Sequence, residues 1–264
     1  MARAKRHYIP GYIWHITHRC HKREFLLKFA KDRRRYLQWL YQARKRYGLT
    51  ILNYMVTCNH VHLLVVDDGN RGVIPNSMKL VAGRPGQEFN QRKGRRGAYW
   101  EDRYHATAVE SGEHLARCIV YIDTNMVRAG VVGHPSMWPF CGYNEIQKPR
   151  RKNILIDYEK VQRLLGFWSY DQLKSSHEGW VEEYCSDGGK SRKEEWTESI
   201  AVGSKAFVEK VKALLGFRAL GREVIQGAEG YQIREDLSCY KALFGAEKGD
   251  IDMKNTYFWD NNVK

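Results

Sequence analysis

The chain has 264 residues, of which 43% are hydrophobic and 12% aromatic, enough apolar material for a packed core and too much for wholesale disorder. Its 44 Lys and Arg outnumber 30 Asp and Glu for a formal +14, and the surplus is confined to one part: residues 1–150 carry 26 basic and 11 acidic side chains, residues 151–264 carry 18 and 19. No run of about 18 apolar residues is present, and the basic start MARAKRHYIPGY has no apolar stretch behind it, so neither a membrane span nor a signal peptide is expected.

Residues 12–18, YIWHITH, alternate as a strand, with Ile13, His15 and Thr17 on one side and Trp14, Ile16 and His18 on the other. A basic loop, RCHKREF, leads to a helix over 31–47, where Tyr36, Leu37, Leu40 and Tyr41 recur at helical spacing. Asp32 is its candidate N-cap, Gly48 its stop, and Arg33, Arg34, Arg44, Lys45 and Arg46 its basic face. Strands follow at 50–56 and 61–66, joined by Thr57-Cys58-Asn59-His60, and then a turn at Asp67-Asp68-Gly69-Asn70. Residues 76–92 read as a helix interrupted by Gly83, Pro85 and Gly86. After the loop RKGRRG come a strand at 103–109 and one continuous helix, ESGEHLARCIVYIDTNMVRAG, ended by Gly130.

PRRKN reads as a linker, so the expected division is 1–148 and a mostly helical 149–264, with helices near 157–166, 169–184, 204–216 and 233–244. The order of the first part predicts a ferredoxin-like βαββαβ antiparallel sheet in an α+β fold, with helices on one face and the other free for a ligand. The six cysteines include no CxxC pair. They read as reduced thiols of a cytoplasmic protein, not as a zinc site.

His60-Val61-His62 is the sharpest chemical feature. Side chains two apart on a strand share a face, and their Cα atoms lie about 6–7 Å apart, so both imidazoles can reach one cation. Two half-buried structural histidines are the plainer reading. Tyr121 and Asn125 are four apart on the last helix and so share a face. Asn is a modest helix former, and its carboxamide oxygen could complete a site with two imidazoles. A mixed N/O set with open positions suits Mg²⁺ or Mn²⁺, and the histidines tilt it toward Mn²⁺. Aromatic and basic residues interleave at Tyr8, Tyr12, Trp14, Arg19 and Arg23, and again at Arg95, Arg96, Tyr99, Trp100, Arg103 and Tyr104. Bases stack on such rings, and phosphates pair with such cations. A polyanion-binding half beside a neutral appendage fits the charge division; general solubility is the alternative.

Taken in order, these segments resemble a known family. NHVHLL (59–64) is similar to the motif of the HUH single-tyrosine transposases of the insertion-sequence-200 type and of their relatives, the REP-associated tyrosine transposases. WEDRY (100–104), YIDTNMVRAGVV (121–132) and HPSMWPFCGY (134–143) resemble the segments that follow in that family, with Met126 standing where proline is usual. The resemblance spans about residues 5–145. It implies cleavage and rejoining of single-stranded, hairpin-containing DNA. Tyr121 would be the nucleophile forming a 5′-phosphotyrosine, and His60 and His62 would be metal ligands, with Asn125 where a third ligand falls. Arg19, Arg23, Arg33, Arg34, Arg44, Lys45, Arg95, Arg96 and Arg103 are the expected DNA contacts. A homodimer with a shared site stays open, as do a related HUH replication or relaxation nuclease and a domesticated, non-catalytic nucleic-acid-binding regulator.

Overall fold

The computed structural model describes residues 9–187 and 193–235. The first part is built from β1 (Ile13–Arg19), α1 (Ala30–Tyr47), β2 (Thr50–Val56), β3 (His60–Val66), α2 (Val73–Lys93), β4 (His105–Val109), α3 (Glu113–Asp123), α4 (Asn125–Arg128) and α5 (Gly142–Gln147). The second adds α6 (Tyr158–Leu165), α7 (Tyr170–Ser186), α8 (Glu195–Glu198), β5 (Ala201–Gly203), α9 (Lys205–Leu215), β6 (Arg222–Gly227) and β7 (Gly230–Glu235). The strands form one seven-stranded sheet in the order β2-β3-β1-β4-β5-β7-β6. Its first four strands pair antiparallel, the expected βαββαβ arrangement. Strand β5 then adds parallel to β4, making the sheet mixed.

The second part is thus largely helical, but it also contributes three strands that lengthen the same sheet. β5 has three residues, too short for periodicity to register. Residues 233–235, read from the sequence as the start of a helix, belong to β7; 236–244 lie outside the described residues, as does Tyr8.

The expectation of a free sheet face does not hold. His15 and Thr17 share one face with His62 and Leu64, whereas Trp14, Ile16 and His18 share the other with Val61, Leu63 and Val65. Over the second face, Trp100 stacks on His18, meets Tyr36 of α1 edge-on and donates its indole N–H to the Ala82 carbonyl of α2. Over the first lie α3, whose Ile119 carbonyl accepts from Asn53 of β2, and α8, whose Trp196 carbonyl accepts from His15. Strands β2 and β3 are accordingly buried along almost their whole length, as in a sheet covered on both sides.

Three helices differ from expectation. α2 runs unbroken through Gly83, Pro85 and Gly86. Pro85 has no N–H for the Val81 carbonyl one turn back; the adjacent Ala82 carbonyl accepts the Trp100 indole N–H, and a Cβ on Gly86 would come within 3.0 Å of the Tyr99 side chain. Asp32 is not the N-cap of α1: Phe29 takes that place, and Asp32 is buried in the first turn, paired with Arg92. The helix read as continuous over 110–130 stops at Thr124, so Tyr121 lies in the last turn of α3 and Asn125 begins α4. The break occurs without proline. Thr124 donates its hydroxyl to the Val120 carbonyl and accepts from Arg128.

Gly142, at the start of α5, shows how closely α5 approaches the sheet edge. A Cβ there would lie 1.8 Å from Asn53 Oδ1 and 3.1 Å from Ile156 Cδ1. Asn53 is fully buried, and its Oδ1 accepts the Tyr54 N–H, so it has no room to yield. Gly142→Ala is expected to cost about 1–3 kcal/mol in urea unfolding; an unchanged midpoint would contradict this packing.

Candidate active site

One cleft of about 550 Å³ gathers most of the chemistry-bearing side chains, among them His60, His62, Tyr121, Asn125, Arg19 and Arg103. β3 delivers the two histidines from successive same-face positions, and their rings sit 4.9 Å apart and nearly perpendicular. The end of α3 brings the Tyr121 ring to 6.0 Å from that of His62 and 6.1 Å from that of His15, all within one chain. Tyr121 is only 4% exposed. From the first turn of α4, the Asn125 amide donates to His62 Nε2 at 3.1 Å. The two residues therefore reach one cleft from either side of a helix break.

The hydrogen bonds orient both histidine rings. A carbonyl can only accept, so His15 Nδ1 donates to the Trp196 carbonyl at 2.8 Å. The neutral His15 ring then accepts at Nε2, and His62 Nδ1 is the donor in the 2.9 Å bond between them. His62 is left with its lone pair on Nε2, facing Asn125. His60 has the same tautomer. Its Nδ1 donates to Asn59 Oδ1 at 2.7 Å, beside Thr57 Oγ1, whose own proton goes to the His60 carbonyl. Both rings thus keep Nε2 as the basic atom, the form in which imidazole binds a metal. Turning the Asn125 amide about its Cβ–Cγ bond would present an oxygen to the same point. Among the described residues no group of three or more His, Cys, Asp and Glu is arranged to hold a metal. The donors present are two imidazoles and a carboxamide, which fits a divalent ion of borderline character with open coordination positions.

Burial pushes His15 down to about 3 and His62 well below the ordinary imidazole value, aided for His62 by the neighbouring His60 and His15. Both stay neutral in the fold, while in the unfolded chain they take up protons below about pH 6.5. Above that value neither group changes stability. As the pH falls below it, the unfolded state binds protons that the native state refuses, and stability drops by about 1.4 kcal/mol per pH unit for each ring. The metal-free protein is therefore expected to lose stability steeply from pH 6.5 to 5 in urea titrations; a flat profile would contradict the buried neutral pair.

The remaining predicted residues divide. Arg19 and Arg103 line the cleft. Arg23, Arg34, Lys45 and Arg96 are exposed. Arg44 is half-buried and donates to the Ile154 carbonyl, and Arg95 is tied to Ala98, Asn90 and Glu24. Arg33 is turned inward: it donates to the Leu27 and Lys28 carbonyls and stacks on Trp138 and Phe140. Its charge is spent on the fold and does not face a phosphate. Of the aromatics, Trp14 and Tyr99 are buried in the core.

Several residues of the site were not singled out in the sequence. Arg128 lies with its guanidinium 4.0 Å from the Tyr121 ring centre, held by Thr124 at 2.7 Å. Its spacing was a usable signal, because positions 121, 125 and 128 fall on one helical face. Thr197 and Glu198 of the second part also line the cleft, and no local pattern pointed to them.

The family model of the IS200-like transposases matches residues 9–125. Among solved structures, a REP-associated tyrosine transposase bound to a REP hairpin is similar at 19% identity and a TM-score of 0.47, covering 60% of this chain and 95% of that one. A Deinococcus radiodurans R1 protein assigned as a transposase is similar at 20% identity and a TM-score of 0.33, covering 44% of this chain and 90% of that one. A search of curated proteins returns no match. Residues 9–125, which match the IS200-like transposases, carry both histidines, the tyrosine and Asn125.

Proposed function

We propose that the protein is a DNA strand transferase that cuts and rejoins single-stranded, hairpin-containing DNA with Tyr121 as nucleophile. The observation that carries this reading is the convergence of Tyr121, His60, His62 and Asn125 on one cleft of a single chain. In the reaction Tyr121 Oη forms a bond to the scissile phosphorus and the bond to the 3′ oxygen breaks. The products are a 5′-phosphotyrosine and a 3′-OH; the phenolic proton passes to solvent, and the leaving 3′ oxygen takes one from it. The covalent link keeps the phosphodiester energy, so a 3′-OH from another strand can reverse the step without ATP.

A tyrosine hydroxyl titrates near 10 and is a weak nucleophile at neutral pH. The Arg128 guanidinium lies 4.0 Å from the Tyr121 ring centre, so a positive charge stands beside the nucleophile. His60 and His62, through Nε2, and the Asn125 carboxamide oxygen would hold Mg²⁺ or Mn²⁺, which when bound supplies charge neutralisation at the scissile phosphate. Arg19 and Arg103 flank the cleft and are suited to grip the adjacent phosphates. Beside α1, a groove of about 1010 Å³ lined by Arg34, Arg46, Arg150, Trp39 and Tyr41 offers cations and aromatic faces to the folded part of the DNA. No helix among the described residues is long and apolar enough to cross a membrane, and the five described cysteines are free thiols, which suits action in the cytoplasm.

The test is incubation with 5′- and 3′-end-labelled hairpin single-stranded DNA and Mn²⁺ or Mg²⁺, followed by denaturing gels. A metal-dependent, denaturant-stable protein–DNA adduct carrying the 3′-end label is expected. Tight DNA binding with no adduct on any of a panel of hairpins would reject the reading in favour of a non-catalytic binder.

A further inference from the structure

The second part of the chain reaches into the cleft from well beyond residue 125, where the family match ends. β5 pairs parallel with β4, with the Ala108 N–H donating to the Ile200 carbonyl and the Glu110 N–H to that of Val202. Just before it, the backbone of α8 and its exit is pinned from β4: Thr107 donates to the Ser199 carbonyl at 2.6 Å and His105 to the same oxygen at 3.0 Å. This docking sets the Trp196 carbonyl 2.8 Å from His15 Nδ1 and its ring 6.3 Å from that of Tyr121.

We propose that this segment is a working part of the catalytic site, in which the Trp196 carbonyl fixes His15 and His15 fixes the tautomer of His62. The order of donors admits one direction only. The carbonyl must receive the His15 Nδ1 proton, so His15 Nε2 must receive the His62 Nδ1 proton, which leaves the His62 lone pair on Nε2 toward the cleft. His15 is a positioning residue. It is fully buried and does not line the cleft, but it stacks on the His62 ring with centroids 5.1 Å apart and planes within 16°. Outer partners of this kind commonly change metal affinity by about 10–100-fold when removed. The inference rests on His62 being a metal ligand, as proposed above, and assigns the tail a role that its neutral charge and lack of motifs did not suggest.

The test uses the full chain labelled with ¹⁵N-histidine. In the metal-free protein, long-range ¹H–¹⁵N spectra are expected to show His62 with its proton on Nδ1. In His15→Leu the buried Nδ1–H loses its acceptor, and the proton is expected to move to Nε2. Mn²⁺ binding by calorimetry is then expected to weaken about 10–100-fold, with hairpin DNA binding in EDTA unchanged. His15→Gln, whose carboxamide can both donate to the carbonyl and accept from His62, is expected to recover most of the Mn²⁺ affinity. A wild-type His62 protonated at Nε2, or a folded His15→Leu protein with wild-type Mn²⁺ affinity, would overturn the inference. The wild-type spectrum decides even where His15→Leu does not fold. Absence of Mn²⁺ binding and of adduct in a wild-type protein with the expected tautomer would instead count against the proposed function.

Discussion

Tyr121→Phe is expected to reduce covalent adduct formation and strand cleavage by about 10³-fold or more while leaving hairpin binding within a few-fold of wild type. The substitution deletes one oxygen and keeps the ring. That ring is 4% exposed and packs against His15, His62 and Trp196, with Arg128 over its face. The apolar packing is therefore retained, and the stability change is expected to be small beside the loss of chemistry. Cleavage assays and DNA titrations on the same preparation separate the two effects. Residual cleavage near wild type would mean that water or another hydroxyl is the nucleophile. A parallel loss of DNA binding would mean that the oxygen serves to hold the strand.

The second large effect is on stability. Glu145 of α5 is 1% exposed and works as a clamp between the two parts of the chain. Its Oε1 accepts the backbone N–H groups of Leu155 and Ile156 at 2.7 and 2.8 Å. Its Oε2 accepts the Tyr54 hydroxyl at 3.0 Å and pairs with Arg150 at 3.2 Å. Burial and the adjacent carboxylate push the Tyr54 hydroxyl well up, so it stays a donor. Glu145→Ala would leave two backbone donors, a phenol and a guanidinium without their acceptor, and is expected to cost about 3–5 kcal/mol in urea unfolding. Glu145→Gln keeps one oxygen for the backbone pair and is expected to cost less. Equal losses for the two variants would contradict the clamp.

Strand alternation and the HVH spacing sufficed to read β1, the β2–β3 pair and the shared face of His60 and His62, because these depend on neighbours in sequence. The face that carries α1 into the core was also visible. Arg33, read with the basic face and the DNA contacts, instead lies on the buried stripe, three before Tyr36 and four before Leu37. Features set by distant partners were not legible. His15 gets its role from a carbonyl 181 positions away. α2 packs its Pro85 region against Tyr99 and Trp100, and at the break the Thr124 hydroxyl bonds both the Val120 carbonyl and Arg128. The extension of the sheet by β5–β7 required a three-residue strand that no period can mark. The charge division separated the basic part from the neutral one correctly in number, yet the neutral part lines the cleft through Thr197 and Glu198 and buttresses it through Trp196.

The central claim is that Tyr121 becomes covalently joined to the 5′ side of the cut strand. Protease digestion of the purified adduct, nuclease trimming to a short nucleotide remnant and mass spectrometry of the peptides test it most directly. The account predicts a single modified peptide, with the nucleotide phosphate on Tyr121 and an unmodified counterpart in Tyr121→Phe. The same mass on another tyrosine, or cleaved DNA with no modified peptide, would contradict it.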